Sequence, residues 1–148
     1  NMEVLDPKNS GIDLFDDDWK IYSRNSGMTG HKIGAHAEIK NSMITDGCRI
    51  DGEVEHSVLF AGVKVAPGAV VKDAVVMGGT VIKSGAVVEH CIIGENAVIG
   101  ENAKIGVVKD GEEKGVATIG PGVYVGDGAM VGSTAMVREN VKDGEEEW

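Results

Sequence analysis

Positive charge is scarce in this chain. Lys and Arg number 14 against 24 Asp and Glu, for a formal net charge of −10 over 148 residues. Nucleic acids and anionic membranes are bound through a basic footprint, so neither is an expected partner. Long apolar runs are missing as well, and no stretch approaches the ~20 residues that cross a bilayer as a helix. No basic segment followed by an apolar one opens the sequence, so no secretory signal is expected. Cysteine is nearly absent. Cys48 and Cys91 stand far apart and are expected to be reduced, buried and used as small apolar residues, in a cytoplasmic protein. No GxSxG, phosphate loop, Gly-rich nucleotide fingerprint or CxxC occurs, which leaves the usual catalytic signatures without a candidate. Aromatics are few, and Phe15, Trp19 and Tyr22 fall together within the first thirty residues.

What the sequence has is rhythm. Aliphatic residues recur at Ile33, Ile39, Ile44, Ile50, Val54, Leu59, Val65, Val71, Val76, Ile82, Val88, Ile93, Ile99 and Ile105. They resume at Ile119, Val125, Val131 and Val137. Most steps are six residues, some are five, and Leu59, Val76 and Ile93 recur at a spacing of seventeen. Two positions before nearly every aliphatic stands a small residue, among them Ala69, Ala74, Thr80, Ala86, Cys91 and Ala97. Alternate residues of a strand share one face, so both columns point the same way. Their small size fits a narrow interior.

Three short strands per coil make a triangular prism. The pattern is that of a hexapeptide-repeat solenoid, an all-β, left-handed parallel β-helix of about six coils. Glycines after the aliphatic residues (Gly94, Gly100, Gly106, Gly120, Gly126, Gly132) are expected at corners where a side chain would be strained. The helix should span residues 31–137. A non-repeat connector precedes it over residues 1–30, and an acidic, frayed tail follows over 138–148. In the connector, MEVL before Asp6-Pro7 reads as the last turn of a helix, because the residue before proline leaves the helical region. The run from Trp19 to Tyr22 reads as a short strand.

Aligning the five-residue sides gives the rungs KNSM, EHSV, KDAV and EHCI. The first column, Lys40, Glu55, Lys72 and Glu89, alternates in sign and is expected to be a solvated charge ladder on one outer face. The second column, Asn41, His56, Asp73 and His90, raises a metal site or proton relay. Two coils separate the histidines by ~10 Å, which one zinc cannot bridge, so polar stacking is the expectation. His31 and His36 lack a third histidine ahead of them. The expected metal ligands are therefore none. The one long break, 107–118, contains no histidine and reads as a flexible excursion.

The phrases NMEVLDP, DLFDDDWKIYSR, NSMITDGCRIDGEVEHSVLFAGVKVAPGAVVKDAVVM and IIGENAVIGENAKIG resemble the C-terminal domain of bacterial glucose-1-phosphate adenylyltransferase. That resemblance implies a parent enzyme joining ATP and glucose 1-phosphate into ADP-glucose and pyrophosphate for glycogen synthesis. The parent's N-terminal domain would supply the chemistry and take Mg²⁺ and ATP. The present chain would then be an excised domain with no catalytic residue and no cofactor of its own. It implies as partners that catalytic domain and further copies in a homotetramer, together with a role in effector response. Only Arg24, Arg49 and Arg138 are available for a phosphorylated effector, and they are scattered. Leu14, Phe15, Trp19, Ile21 and Tyr22 are the interface candidates, an apolar segment placed to cover the first coil and meet the catalytic domain. Two alternatives stay open: an independent hexapeptide acyltransferase, and the same domain of a catalytically degenerate sister protein.

Overall fold

The structure, a computed structural model, describes residues 2–22, 25–111 and 113–148. Every strand pairs in parallel with the strand one coil away, and the strands form three sides. One side stacks β1 (Lys32–Ile33), β4 (Arg49–Ile50), β7 (Lys64–Val65), β9 (Val81–Ile82), β11 (Val98–Ile99) and β14 (Tyr124–Val125). The second stacks β2 (Glu38–Lys40), β5 (Glu53–Glu55), the first halves of β8 (Val70–Val76) and β10 (Val87–Ile93), then β12 (Lys104–Val107), β15 (Met130–Gly132) and β17 (Glu146–Glu147). The third holds β3 (Met43–Ile44), β6 (Val58–Leu59), the second halves of β8 and β10, β13 (Ala117–Ile119) and β16 (Met136–Val137). The expected β-helix is therefore present.

The register follows the spacing. Val54, Val71, Val88 and Ile105 are cross-strand partners in succession, as are Leu59, Val76 and Ile93. These residues and the small column beside them form one continuous core, in which Ala69, Ala74, Ala86, Ala97 and Ala103 are wholly buried. Polar members of the small column are hydrogen-bonded. The Ser57 hydroxyl donates to the Glu55 carbonyl and accepts the Ala74 N–H, and Thr80 donates to the Gly94 carbonyl. Pairing buried polar atoms removes the cost of desolvating them.

Three expectations change. The solenoid does not stop at Val137. Val141 bridges to Val125 and β17 pairs with β15, so residues 138–148 add two more sides to the prism and the second side counts seven rungs. Glu147 occupies the register position of Val131 there. Glu147 is exposed, so a carboxylate is tolerated at this position. The Trp19–Tyr22 run is not a strand. Asp13 Oδ1 accepts the Phe15 N–H, and Asp16 Oδ1 accepts those of Asp18 and Trp19, so aspartate turns shape the connector instead. Finally, the glycines after the aliphatics mostly avoid the left-handed region. A Cβ on Gly94 or Gly126 would strike the backbone of the next coil, so close approach demands glycine there. Gly106 alone among them, at φ +86, fits the conformational reason.

Candidate docking face

The chain before the first coil forms a 3-10 turn over Met2–Leu5 and a one-turn helix, α1 (Pro7–Ser10), broken between them at Asp6. Both lie on the third side of the prism. Val4, Leu5, Pro7 and Phe15 enclose a hollow of about 390 Å³ with Ile39, Asn41, Ser42 and Met43. Met2 stands higher, in a second hollow of about 400 Å³ lined by His56, Asp73, Val75, His90, Cys91, Ile92 and Val116. Followed backwards, the segment thus climbs from the lowest coils toward the insertion.

What it climbs is apolar. The cross-strand partners Met43, Val58, Val75, Ile92, Thr118 and Met136 form an outward column. Outward positions on a solvated sheet face are ordinarily polar, yet five of these six are apolar. Val58 and Val75 are buried, whereas Ile92 is 41% exposed and Met136 66%. Adjacent Val116 is also open to solvent, so the apolar strip continues uncovered above the N-terminal segment. This column escaped the sequence reading, although it was legible as the fourth letter of the rungs KNSM, EHSV, KDAV and EHCI.

The five residues expected at an interface do not gather into that column. Phe15, Trp19 and Tyr22 are 80%, 79% and 86% exposed, Ile21 is exposed and Leu14 is half-buried. Trp19 and Ile21 line a hollow made by the connector itself, with Gly11, Ile12, Asp13 and Asp16.

Beside the apolar column runs the corner column. Asn41, His56, Asp73 and His90 have φ between +40 and +48. Asn, Asp and His are the residues besides glycine that most often accept such angles, so the backbone explains the types. The side chains add a chain of contacts. His56 Nδ1 lies 2.7 Å from Asp73 Oδ1, and His90 Nε2 lies 3.2 Å from Asp73 Oδ2. The histidines do not meet each other, and Asp73 ties them together across three coils. His56 also borders a hollow with Met2, Glu3, Asp6, Asn9 and Ser10, so it faces the N-terminal segment across that space. Among the described residues no group of three or more His, Cys, Asp or Glu is arranged to hold a metal. His31 and His36 are exposed.

The charge ladder is in the expected register, but its contacts differ. Lys72 Nζ lies 3.1 Å from Glu53 Oε1 and 3.5 Å from Glu55 Oε2, while Lys40 turns to Glu38. The Glu53 hydrogen bond and charge, helped by Glu55, hold the Lys72 ammonium above its ordinary value. Both thiols are free and buried. Burial pushes Cys91 up to about 12, and burial also raises Cys48, so neither is primed as a nucleophile. Arg49 and Arg138 are exposed and far apart in the coil order, and Arg24 lies outside the described residues.

A family profile described as GlmU-like, C-terminal hexapeptide, matches residues 26–126. The chain belongs to this family. Glucose-1-phosphate adenylyltransferase of Clostridium perfringens (strain SM101 / Type A) is 49% identical over 77 residues, 52% of this chain and 20% of that protein. The Geobacillus stearothermophilus enzyme of the same name is 47% identical over 72 residues, 49% of this chain and 18% of the relative. The chain thus spans about a fifth of the length of these curated relatives. Among solved structures, the acetyltransferase domain of PglB from Neisseria gonorrhoeae FA1090 superposes with a TM-score of 0.55 at 20% identity, covering 80% of this chain and 54% of that one. At that identity the likeness concerns the fold.

Proposed function

We propose that this β-helix is the docking and assembly domain of a glucose-1-phosphate adenylyltransferase, and that its third side carries the nucleotidyltransferase unit. The observation that bears the proposal is the outward column, buried at Val58 and Val75, where Met2 of the N-terminal segment borders Val75, and bare at Ile92 and Met136. An apolar strip of this kind on a soluble surface marks an interface. The curated relatives' name and their much greater length support the same reading. ATP, Mg²⁺ and glucose 1-phosphate then belong to the other unit, because phosphoryl chemistry needs groups that hold the metal and cradle the phosphates. The paired lysine and carboxylates of the ladder are engaged with one another and supply neither. Assembly into a homo-oligomer falls to the same domain.

The test has two arms. The 148-residue chain, given ATP, glucose 1-phosphate and Mg²⁺, should form no ADP-glucose. In the longer polypeptide that includes the nucleotidyltransferase unit, Ile92→Asp should loosen the contact between the two units, seen as a smaller or more extended species in sedimentation. Adenylyl transfer by the chain alone, or an unchanged Ile92→Asp species, would overturn the proposal.

A further inference from the structure

The side that stacks β1, β4, β7, β9, β11 and β14 has an outward column of its own. Ile50, Val65, Ile82, Ile99 and Val125 are buried there, so the residue before each points out. From the first coil upward the column reads Lys32, Arg49, Lys64, Val81, Val98 and Tyr124, in unbroken register. The Val125–Val141 bridge adds a seventh rung led by Asn140, whose Oδ1 accepts the Tyr124 N–H at 2.8 Å. Three cations thus stand on adjacent rungs ~4.8 Å apart, in a chain of net charge −10. Like charges directly opposite one another repel. Elsewhere the chain answers its lysines with carboxylates, Lys72 with Glu53 and Glu55, and Lys83 with Asp127. Among the described residues, Lys32, Arg49 and Lys64 pair with no carboxylate, and all three are exposed.

The upper half of the same side has the opposite sign. Glu101, Asp127 and Asp143 stack at its trailing corner, where Asp127 Oδ1 accepts the Glu101 N–H and Asp143 Oδ1 accepts the Asp127 N–H. Glu95, whose carbonyl accepts the Gly122 N–H, and Glu139 occupy the leading corner. All five carboxylates are exposed. Counting Arg138 and Lys142 above, and Asp46 and Asp51 below, leaves the upper half negative and the lower half positive. Between the charges lie Val81 and Val98, both half-buried.

We propose that this side is a self-complementary interface whose occupant is a second copy of the chain. The two solenoids run antiparallel about a two-fold axis at the level of Val81, the middle of the seven rungs, so that one patch meets itself. Lys64 then faces the rung of Val98 and Glu101, Arg49 that of Tyr124 and Asp127, and Lys32 that of Asn140 and Asp143. Parallel stacking would set cation on cation, so the charge polarity selects the antiparallel arrangement. Val81 and Val98 form an apolar centre and the charges a polar rim, the division usual in interfaces. Seven rungs at ~4.8 Å and a six-residue side at ~3.3 Å per residue give a face of roughly 29 by 20 Å. Two such faces come to about 1,200 Å², the lower end of what specific association buries, so a weak, salt-sensitive dimer is expected. This inference rests on the assembly reading above for its role and on this side alone for its geometry.

Sedimentation of the 148-residue chain from micromolar to submillimolar concentration should show a monomer–dimer equilibrium that weakens as salt screens the rim. Lys64→Glu and Glu101→Lys should each weaken dimerisation about tenfold or more, and the double variant should return it toward the starting value. A response to net charge alone differs, since Glu101→Lys makes the chain less acidic and would then tighten the dimer. Cysteine placement reads the geometry directly, because Cys48 and Cys91 are buried. Under mild oxidation Val81→Cys should cross-link two copies, whereas Lys32→Cys should not, since antiparallel packing puts the two Lys32 positions ~29 Å apart. Ile92→Asp, on another side of the prism, should leave the dimer intact. The face is refuted by a chain that stays monomeric, by a dimer indifferent to Lys64→Glu, by tightening in Glu101→Lys, or by cross-linking through Lys32→Cys. A dimer lost in Ile92→Asp alone refutes it too, and moves self-association to the third side. None of these results bears on the contact that Ile92→Asp tests in the longer polypeptide, so the two readings fail separately.

Discussion

Ala74 and Gly94 fix the dimensions of the prism from opposite sides of its wall. Ala74 points inward with no exposure, and a larger residue has nowhere to go between adjacent coils. Ala74→Leu should destabilise by ~1–3 kcal/mol, read from thermal or urea unfolding, and the same holds for Ala86→Leu. Gly94 has its constraint outside the core, since a Cβ there would meet the backbone of Pro121. Gly94→Ala should therefore destabilise, whereas Gly128→Asn should be close to neutral. Gly128 has φ +68 with nothing within 4 Å of its missing Cβ, and asparagine tolerates that conformation. A third residue is pH-sensitive. Asp127 accepts the Glu101 N–H at 2.8 Å, which lowers its pKa; partial burial opposes this, and Lys83 at 3.4 Å reinforces it. A depressed carboxylate adds stability that is complete above its unfolded value of 3.8 and fades as pH falls through the folded one. Asp127→Asn should remove that part of the acid-side slope. Melting curves of the two proteins should therefore converge in strong acid and separate above pH 4.

At the scale of elements, the ladder between β5, β8 and β10 is a local device. Lys72 is held by Glu53 and Glu55, and Glu89 is its register partner on β10. Lys72→Glu would align like charges on three successive strands. The loss should be measurable at low ionic strength and should shrink as salt screens it, because the groups are open to solvent. A large, salt-independent loss would mean that the ladder is dry. The corner between the halves of β8 and β10 is a second device. There the left-handed backbone of Asp73 and His90 selects the residue types, and the carboxylate then links the imidazoles. Spacing alone placed those residues in one column. It could not show the Asp73 bridge, because two-coil separation was counted between the histidines and not through the aspartate between them.

For the molecule as a whole, the inward architecture was legible and the outward one was not. Strict alternation made Ile82, Val88 and Ile99 readable as core, since no other environment suits an aliphatic every five or six residues. The same logic assigns the intervening positions to solvent by default, and so Met43, Val58, Val75, Ile92 and Met136 went unread. Phe15, Trp19 and Tyr22 stand out because aromatics are rare, and the structure leaves all three rings open, while Val58 and Val75 are buried, Val75 beside Met2. The strands beyond Val137 were not legible because Glu147 stands at the register position of Val131, where the rhythm calls for an aliphatic residue. The central claim, that the third side is a docking face, is tested most directly by hydroxyl-radical footprinting of Met136, whose thioether is 66% exposed in this chain. Its oxidation should be fast in the 148-residue chain and about tenfold slower in the longer polypeptide with the nucleotidyltransferase unit attached, the factor expected when a contact desolvates a reactive side chain. Equal oxidation rates at Met136 and Ile92 in the two proteins would contradict it.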